Sequence, residues 1–269
     1  KEAEVVGVKV TDHREPSHIL LDTPLDFSPP KPVKVFHSGF SKSSTEEIGK
    51  VTARGEGMGI SIIPTPSKPT HRIGTKQVAL SLDHVANGGT LFIDNGAFGL
   101  YKKGKTVPFE GKNNAFEVID SIVYESELHG AGIAPENRKN VTIVMPDVIG
   151  DQQGTLELQS KHKEKIHEYI DAGFDVIIPM HQTESKTKRG DDRTLDNVYD
   201  GLVAEFGEGN FRVGVPSNKA AINLKDFTGL VENKKPAKIH LLGKSKSSAD
   251  GLAKIKAAAK VSRNTEVSV

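Results

Sequence analysis

Three apolar runs in this chain stop on side chains that can do chemistry. Thr90-Leu91-Phe92-Ile93 ends on Asp94 and turns through Asn95-Gly96-Ala97-Phe98. Val141-Thr142-Ile143-Val144-Met145-Pro146 ends on Asp147. Asp175-Val176-Ile177-Ile178-Pro179-Met180 ends on His181 and Gln182. Carboxylates and imidazoles move protons, and an ionised carboxylate accepts two N–H donors at once. Strands that all carry such groups at their C-terminal ends form the pattern of an α/β barrel or an open parallel α/β sheet. Plainer readings stand beside these. Asp94 before Asn-Gly suits a turn. Asp147 and Asp151 flank Gly150, and one of them suits the N-cap of a helix starting near 152. Phe98 suits either a stacking surface or the core.

The rest of the chain alternates strand and helix. Short apolar runs centre near residues 35, 61, 92, 143, 177, 213, 240 and 267. Between them the apolar spacing or the capping signals predict helices from Ser44 or Thr45, over Gln77–Ala86, Asn114–Leu128, Gln152–Ala172, Leu195–Phe206, Leu224–Glu232 and Asp250–Ala259. Leu128 belongs to the apolar face of its helix, and Leu156, Leu158, Ile166 and Ile170 to that of theirs. Eight strands with crossovers predict a (β/α)8 TIM barrel over residues 34–269, a doubly wound sheet being the other reading. Residues 1–33, with Pro16, Pro24, Pro29, Pro30 and Pro32, read as an N-terminal arm or linker in which Val5–Val10 suits an edge strand. Residues 184–193 read as a polar loop.

Composition narrows the chemistry. The 269 residues suit one barrel of about 250. There are 36 Lys and Arg against 35 Asp and Glu, so no global positive field draws a nucleic acid. A local patch at Lys102, Lys103, Lys105 and Lys112 is either a solvated loop or the entrance to a phosphate-binding surface. Lys244 and Ser245, after the seventh strand, stand where barrels often bind phosphate. With no cysteine, thiolate catalysis and cysteine-ligated zinc are excluded. No apolar run approaches the length of a membrane span. The first residue is Lys1, which suggests a processed or partial product, and a cytoplasmic setting is expected, that of a host cell if the chain is phage-encoded.

The strand ends, taken in order, resemble those of the tRNA-guanine transglycosylase superfamily. They are most similar to its branch that inserts 7-deazaguanines into DNA. Asp94-Asn95-Gly96-Ala97-Phe98 stands where the family has an Asp-Ser-Gly-Gly-Phe-like motif, and Pro146-Asp147 where it has Phe-Asp. His181-Gln182 takes the place of Gln-Gly-Gly. Val213-Gly214-Val215-Pro216-Ser217 takes that of Gly-Gly-Leu-Ala, and Ile239-His240-Leu241-Leu242-Gly243 that of Tyr-Leu-Met-Gly. The likeness spans residues 33–269. It implies exchange of guanine in nucleic acid, DNA in preference to tRNA, for a 7-deazaguanine such as preQ0, with no organic cofactor. It gives Asp94 the general acid/base role and Asp147 the guanine-like edge. Gln182 and the backbone near Gly214 complete base recognition, with Phe98, His181 and Gly243 lining the site. A homo-oligomer or larger assembly is left open.

Two departures qualify the resemblance. The family's nucleophilic aspartate lies just beyond the eighth strand, and the chain stops at Val269 before any such residue. Asp250, on a helix, and Glu266, mid-strand, are poor substitutes. Either the parent polypeptide continues, or the product is a nucleic-acid-binding relative without catalysis. The Cys-rich zinc module of the tRNA enzymes is also missing. A third reading is a metal-dependent barrel hydrolase with His181 and His240 joining Asp94 and Asp147, though no His-x-His pair follows the first strand.

Overall fold

The computed structural model describes residues 31–40, 44–62, 75–102, 104–181, 194–216, 222–243, 249–261 and 265–269. The expectations for Val5–Val10, the proline-rich arm up to residue 30, Lys103, Gln182, the 184–193 loop, Ser217, Lys244 and Ser245 lie outside the described residues.

Eight parallel strands run in chain order: β1 (Phe36–His37), β2 (Gly57–Ser61), β3 (Leu91–Asp94), β4 (Val141–Val144), β5 (Asp175–Pro179), β6 (Phe211–Pro216), β7 (Lys238–Leu242) and β8 (Glu266–Ser268). Each pairs only with its sequence neighbours. The ring is closed by Lys34 beside Ser268, where Lys34 N–H donates to Val267 O (3.0 Å), Phe36 N–H to Val269 O (2.9 Å) and Val269 N–H to Lys34 O (2.9 Å). The chain folds as a (β/α)8 TIM barrel, which excludes the doubly wound sheet.

The helices between the strands are α1 (Thr45–Ala53), α2 (Thr75–Ala86), α3 (Ala97–Tyr101), α4 (Ala115–Val123), α5 (Gln152–Lys161), α6 (Lys163–Asp171), α7 (Leu195–Phe206), α8 (Leu224–Lys234) and α9 (Ala249–Val261). Their starts follow local chemistry. Ser44 accepts from Glu47 N–H while Glu47 returns a bond to Ser44 N–H, a capping box that opens α1. Asn114, Asp151, Thr194 and Asn223 cap α4, α5, α7 and α8 in the same sense. Thus Asp151 caps α5, and Asp147 is left for the strand end.

Two helix expectations need correction. The segment expected as one helix over 152–172 breaks at His162 (φ −109°, ψ 19°), where the ring packs against Phe109 and Phe116 at 6.1 and 5.2 Å. The helix expected to run to Leu128 ends at Val123. Ser126 and Gly130 then pair across a tight turn, which leaves Leu128 exposed.

Side chains alternate between the two faces of each strand, as the pleat requires. Outward residues such as Ile60, Leu91, Ile143, Ile178 and Val213 meet the helices in one large core. Inward residues Phe36, Phe92, Val144 and Ile177, with Leu242, form a second cluster inside the barrel. Room for the Phe36 ring comes from Gly57, its register partner, while Gly59, paired with Phe92, lets Ser38 come close. A Cβ on Gly57 would lie 2.8 Å from Phe36 Cδ1.

Below these rings the barrel is ionic. Arg212, fully buried, donates from Nε and Nη2 to Asp175 Oδ2 (3.0 and 2.8 Å) and from Nη2 to Glu266 Oε1 (2.6 Å). Lys238 Nζ lies 3.4 Å from Asp175 Oδ1. Burial alone would raise the Asp175 carboxyl. Arg212 and then Lys238 outweigh it and hold the group below the usual carboxylate range, and Arg212 does the same for Glu266. Groups with depressed folded values contribute stability that is present above the unfolded carboxylate range and lost as pH falls through the folded values. Arg212→Met should therefore cost roughly 3–5 kcal/mol at neutral pH, by taking from Asp175 and Glu266 the buried cation they share and leaving Asp175 only the longer contact to Lys238. Urea unfolding at pH 7 checks this, and a loss under 1 kcal/mol would contradict it.

Candidate active site

The C-terminal ends of β2 to β5 converge on one group of polar side chains. Ser61 and Asp94 are register partners on adjacent strands, both facing inward, and their side chains are hydrogen-bonded. Asp94 Oδ1 also accepts Gly96 N–H at 3.1 Å, so the turn reading and the site reading hold together. Gly96, at φ +79°, makes that tight turn and opens α3. Asp94 as a residue is half-buried. Burial pushes it above the ordinary carboxylate value. The bonds from Gly96 and Ser61 partly offset this, and the nearby charge of Asp147 adds to it.

Asn95, one residue on, joins the two carboxylate-bearing loops. Its Nδ2 donates to Met145 O (3.0 Å) and to Asp147 Oδ1 (3.1 Å), and its Oδ1 accepts Ala97 N–H (2.9 Å). Both amide protons are used, so its orientation is fixed. Asp147 is buried, and its other oxygen, Oδ2, lies 3.4 Å from His181 Nε2. His181 is buried in turn. Its own N–H donates to Gln152 Oε1 (2.6 Å), and its Nδ1 lies 3.5 Å from Gly150 N–H. Gln159 Nε2 spans Pro146 O (3.1 Å) and Pro179 O (3.0 Å), tying the ends of β4 and β5.

The structure thus brings Asp94, Asp147 and His181 together and adds Ser61, Asn95, Gln152 and Gln159, which sequence reading missed. Asn95 stood in the motif but read as a turn residue. Ser61 was findable only through its register with Asp94. The two glutamines lie on the buried face of α5, where apolar periodicity leaves them invisible.

The other expected residues fall elsewhere. Gly214 faces inward on β6, and its carbonyl accepts Met180 N–H at 2.9 Å, so that oxygen is committed to the barrel. A Cβ there would meet Ile177 Cγ2 at 2.7 Å, Pro179 Cα at 3.0 Å and Leu242 Cδ1 at 3.1 Å. Gly243 forms a left-handed turn after β7 (φ +73°) with open space around it. Phe98 is not in the core: it is 51% exposed on α3, with Lys102 Nζ 4.3 Å above its ring. Lys105 and Lys112 are exposed.

His240 does not join His181. It lies inside the barrel, stacked on Phe92 at 5.0 Å, with Nδ1 2.8 Å from Ser268 Oγ. Ser268 Oγ donates to Ile239 O at 3.3 Å, so the His240 Nδ1–H is the donor toward Ser268. Burial, then the positive charge of Arg212, push its ring down to about 3, and it stays neutral. Among the described residues no three His, Asp or Glu side chains are arranged to hold a metal ion. Among the same residues no helix is long and apolar enough to cross a membrane.

No family model matches this chain, and no curated protein does. Solved structures with a similar course include a family 2 AP endonuclease from Brucella melitensis, at 13% identity over 90% of this chain and 92% of that one, with a TM-score of 0.46. A D-psicose 3-epimerase determined in the presence of D-fructose aligns at 13% identity over 88% and 83%, with a TM-score of 0.44. A Xanthomonas albilineans dihydropteroate synthase with 4-aminobenzoic acid aligns at 14% identity over 88% and 86%, with a TM-score of 0.34.

Two outcomes follow from the site geometry. Because the Asp94 value is raised in the fold, the native state binds its proton more tightly than the unfolded chain does. The stability this confers is complete below the unfolded carboxylate range and is lost as pH rises through the folded value. Asp94→Asn is expected to remove that loss. In urea titrations the wild type should fall behind the variant across this window, and a pH-independent difference would contradict the assignment. Gly214→Ala should cost roughly 1–3 kcal/mol by overpacking the barrel, read as a lower melting temperature.

Proposed function

We propose that this barrel exchanges bases at an N-glycosidic bond, replacing guanine in nucleic acid, DNA in preference to tRNA, with a 7-deazaguanine such as preQ0. The observation that carries the reading is Asp94. It is a carboxyl at a strand C-terminus, raised above its ordinary value by burial and facing two hydrogen-bond donors, beside a second carboxylate held in place by Asn95. Two carboxylates with different surroundings are what acid/base chemistry at a leaving base calls for. Asp94, when protonated, can give its proton to the departing purine, and the emptied carboxylate can take one back from the incoming base. Asp147 would accept the paired N–H donors of a guanine-like edge. The target nucleotide has to be flipped out or presented single-stranded to reach this depth. The exposed Phe98 and the lysines 102, 105 and 112 stand on the loop that leaves Asp94, suited to a strand approaching the mouth.

The covalent half of such a reaction needs a nucleophile on the sugar. Within this chain Glu266 is bound to Arg212 and Asp250 to Lys254 at 3.1 Å, so neither carboxylate is placed for it. The resemblance puts that group just after β8.

The test is incorporation of labelled preQ0 into DNA and into tRNA by the full encoded polypeptide. Label is expected in one of the two, with Asp94→Asn slowed by roughly 10²–10⁴-fold. Absence of label in both, with no purine bound by the protein, would overturn the reading.

A further inference from the structure

The geometry points to His181 as the residue that positions Asp147 and sets its selectivity for a ligand edge rich in N–H donors, an inference that rests on the base-exchange reading of Asp147. Three features of the free protein carry it. The first is the tautomer. Gly150 N–H faces Nδ1 at 3.5 Å, so Nδ1 is the accepting nitrogen and the neutral ring carries its proton on Nε2. The second is where that nitrogen lies. Nε2 lies 3.4 Å from Asp147 Oδ2, with His181 only 1% exposed, and it makes no well-directed bond with any described residue. A buried donor without a full partner is costly and suits a site whose bonds tighten on binding. The third is how the ring is held. Gln152 Oε1 takes the His181 main-chain N–H at 2.6 Å, and α5 thereby fixes the residue from behind.

Asp147 then has Asn95 bonded to Oδ1 and the His181 Nε2 standing 3.4 Å from Oδ2. The titratable groups facing it among the described residues are Asp94 from β3 and His181 after β5, while α5 presents the uncharged Gln152 and Gln159. The Asn95 bond on one oxygen and the His181 ring against the other orient the carboxylate plane, so that its remaining lone pairs select a ligand with adjacent N–H donors. Loss of the histidine lets the carboxylate turn, and its lone pairs no longer face the ligand's adjacent donors together.

The test uses the whole protein and two probes, guanine and hypoxanthine, which differ by the exocyclic amine of guanine. Long-range proton–nitrogen NMR of the free protein, with His181 identified by its loss in His181→Gln, reads the tautomer. A bare Nδ1 and a protonated Nε2 that shifts in Asp147→Asn are expected. A proton on Nδ1 overturns the inference whether or not a purine binds. Calorimetry then compares the probes. Wild type is expected to prefer guanine. His181→Leu should lose about ten-fold or more in guanine affinity, with much less change for hypoxanthine, and His181→Gln, whose amide still donates, should recover most of the preference. Unchanged guanine affinity in His181→Leu overturns the inference. Binding of neither purine by wild type overturns the base-exchange reading and the recognition role of His181 with it. The tautomer result separates that outcome from a failure of the histidine–carboxylate pairing alone.

Discussion

A guanidinium almost wholly removed from water stands inside this barrel, and the ring is arranged to meet it. Isolated burial of Arg212 would cost several kcal/mol; Asp175 on β5 and Glu266 on β8 offset that cost from two sides. Such a cluster is a weak source of net stability, because its desolvation opposes its attraction. It is a strong constraint on register. A slip of one residue in β5, β6 or β8 would turn a charge outward into the apolar layer under the helices, and the apolar neighbours inward. The ionic base therefore specifies which face of three strands looks in. Through β8 it also bears on the ladder to Lys34 that closes the ring.

Above that base the interior is apolar, with Phe36, Phe92, Val144, Ile177 and Leu242 around a neutral His240. This layer separates two electrostatic regimes. Near the strand starts, cations face the carboxylates and depress them. Near the strand ends, the described partners of Asp94 are a hydroxyl, a backbone N–H and a second carboxylate. The same side chain type is thus driven in opposite directions within one barrel, Asp175 down and Asp94 up. Position along the barrel axis decides this, because residue identity is common to both.

Much of this arrangement was legible from the residues. Buried parallel strands are continuous apolar runs, so the eight strand positions, and with them the barrel, stand out at once. Asp94, Asp147 and His181 stand out because each follows such a run. What escaped was polar and inward. Asp175 opens its strand and Arg212 is the second residue of its own, so both read as edges of apolar runs, whereas the closed ring folds them into its interior. Gln152 and Gln159 occupy the buried face of α5 because the facing partners are backbone carbonyls and an N–H at strand ends, which apolar side chains could not satisfy. Leu128 misled in the other direction: its spacing fits a helix that the Ser126–Gly130 turn has already ended.

Asn95 shows why the candidate site is a single unit. Asp94 points inward at the end of β3, and the next residue turns sideways to reach the loop after β4. One dipeptide therefore supplies both the carboxyl that burial raises and the clamp on its partner, Asp147. The ladder holds the same spot from the backbone: Ile62 N–H donates to Asp94 O at 2.9 Å, and Met145, whose carbonyl takes Asn95, donates its own N–H to Ile177 O at 2.8 Å. Because Met145 is bound on both sides, β3 and β5 fix the level of the β4 end independently of the Asp147 side chain. A movement of the β3 terminus would carry Asp94 and the Asp147 clamp together and so preserve their spacing. Coupled acid/base groups need that spacing, since the influence of one charge on the other falls with distance. The amide of Asn95 thus does for the distance between the carboxylates what Arg212 does for the register of the strands below.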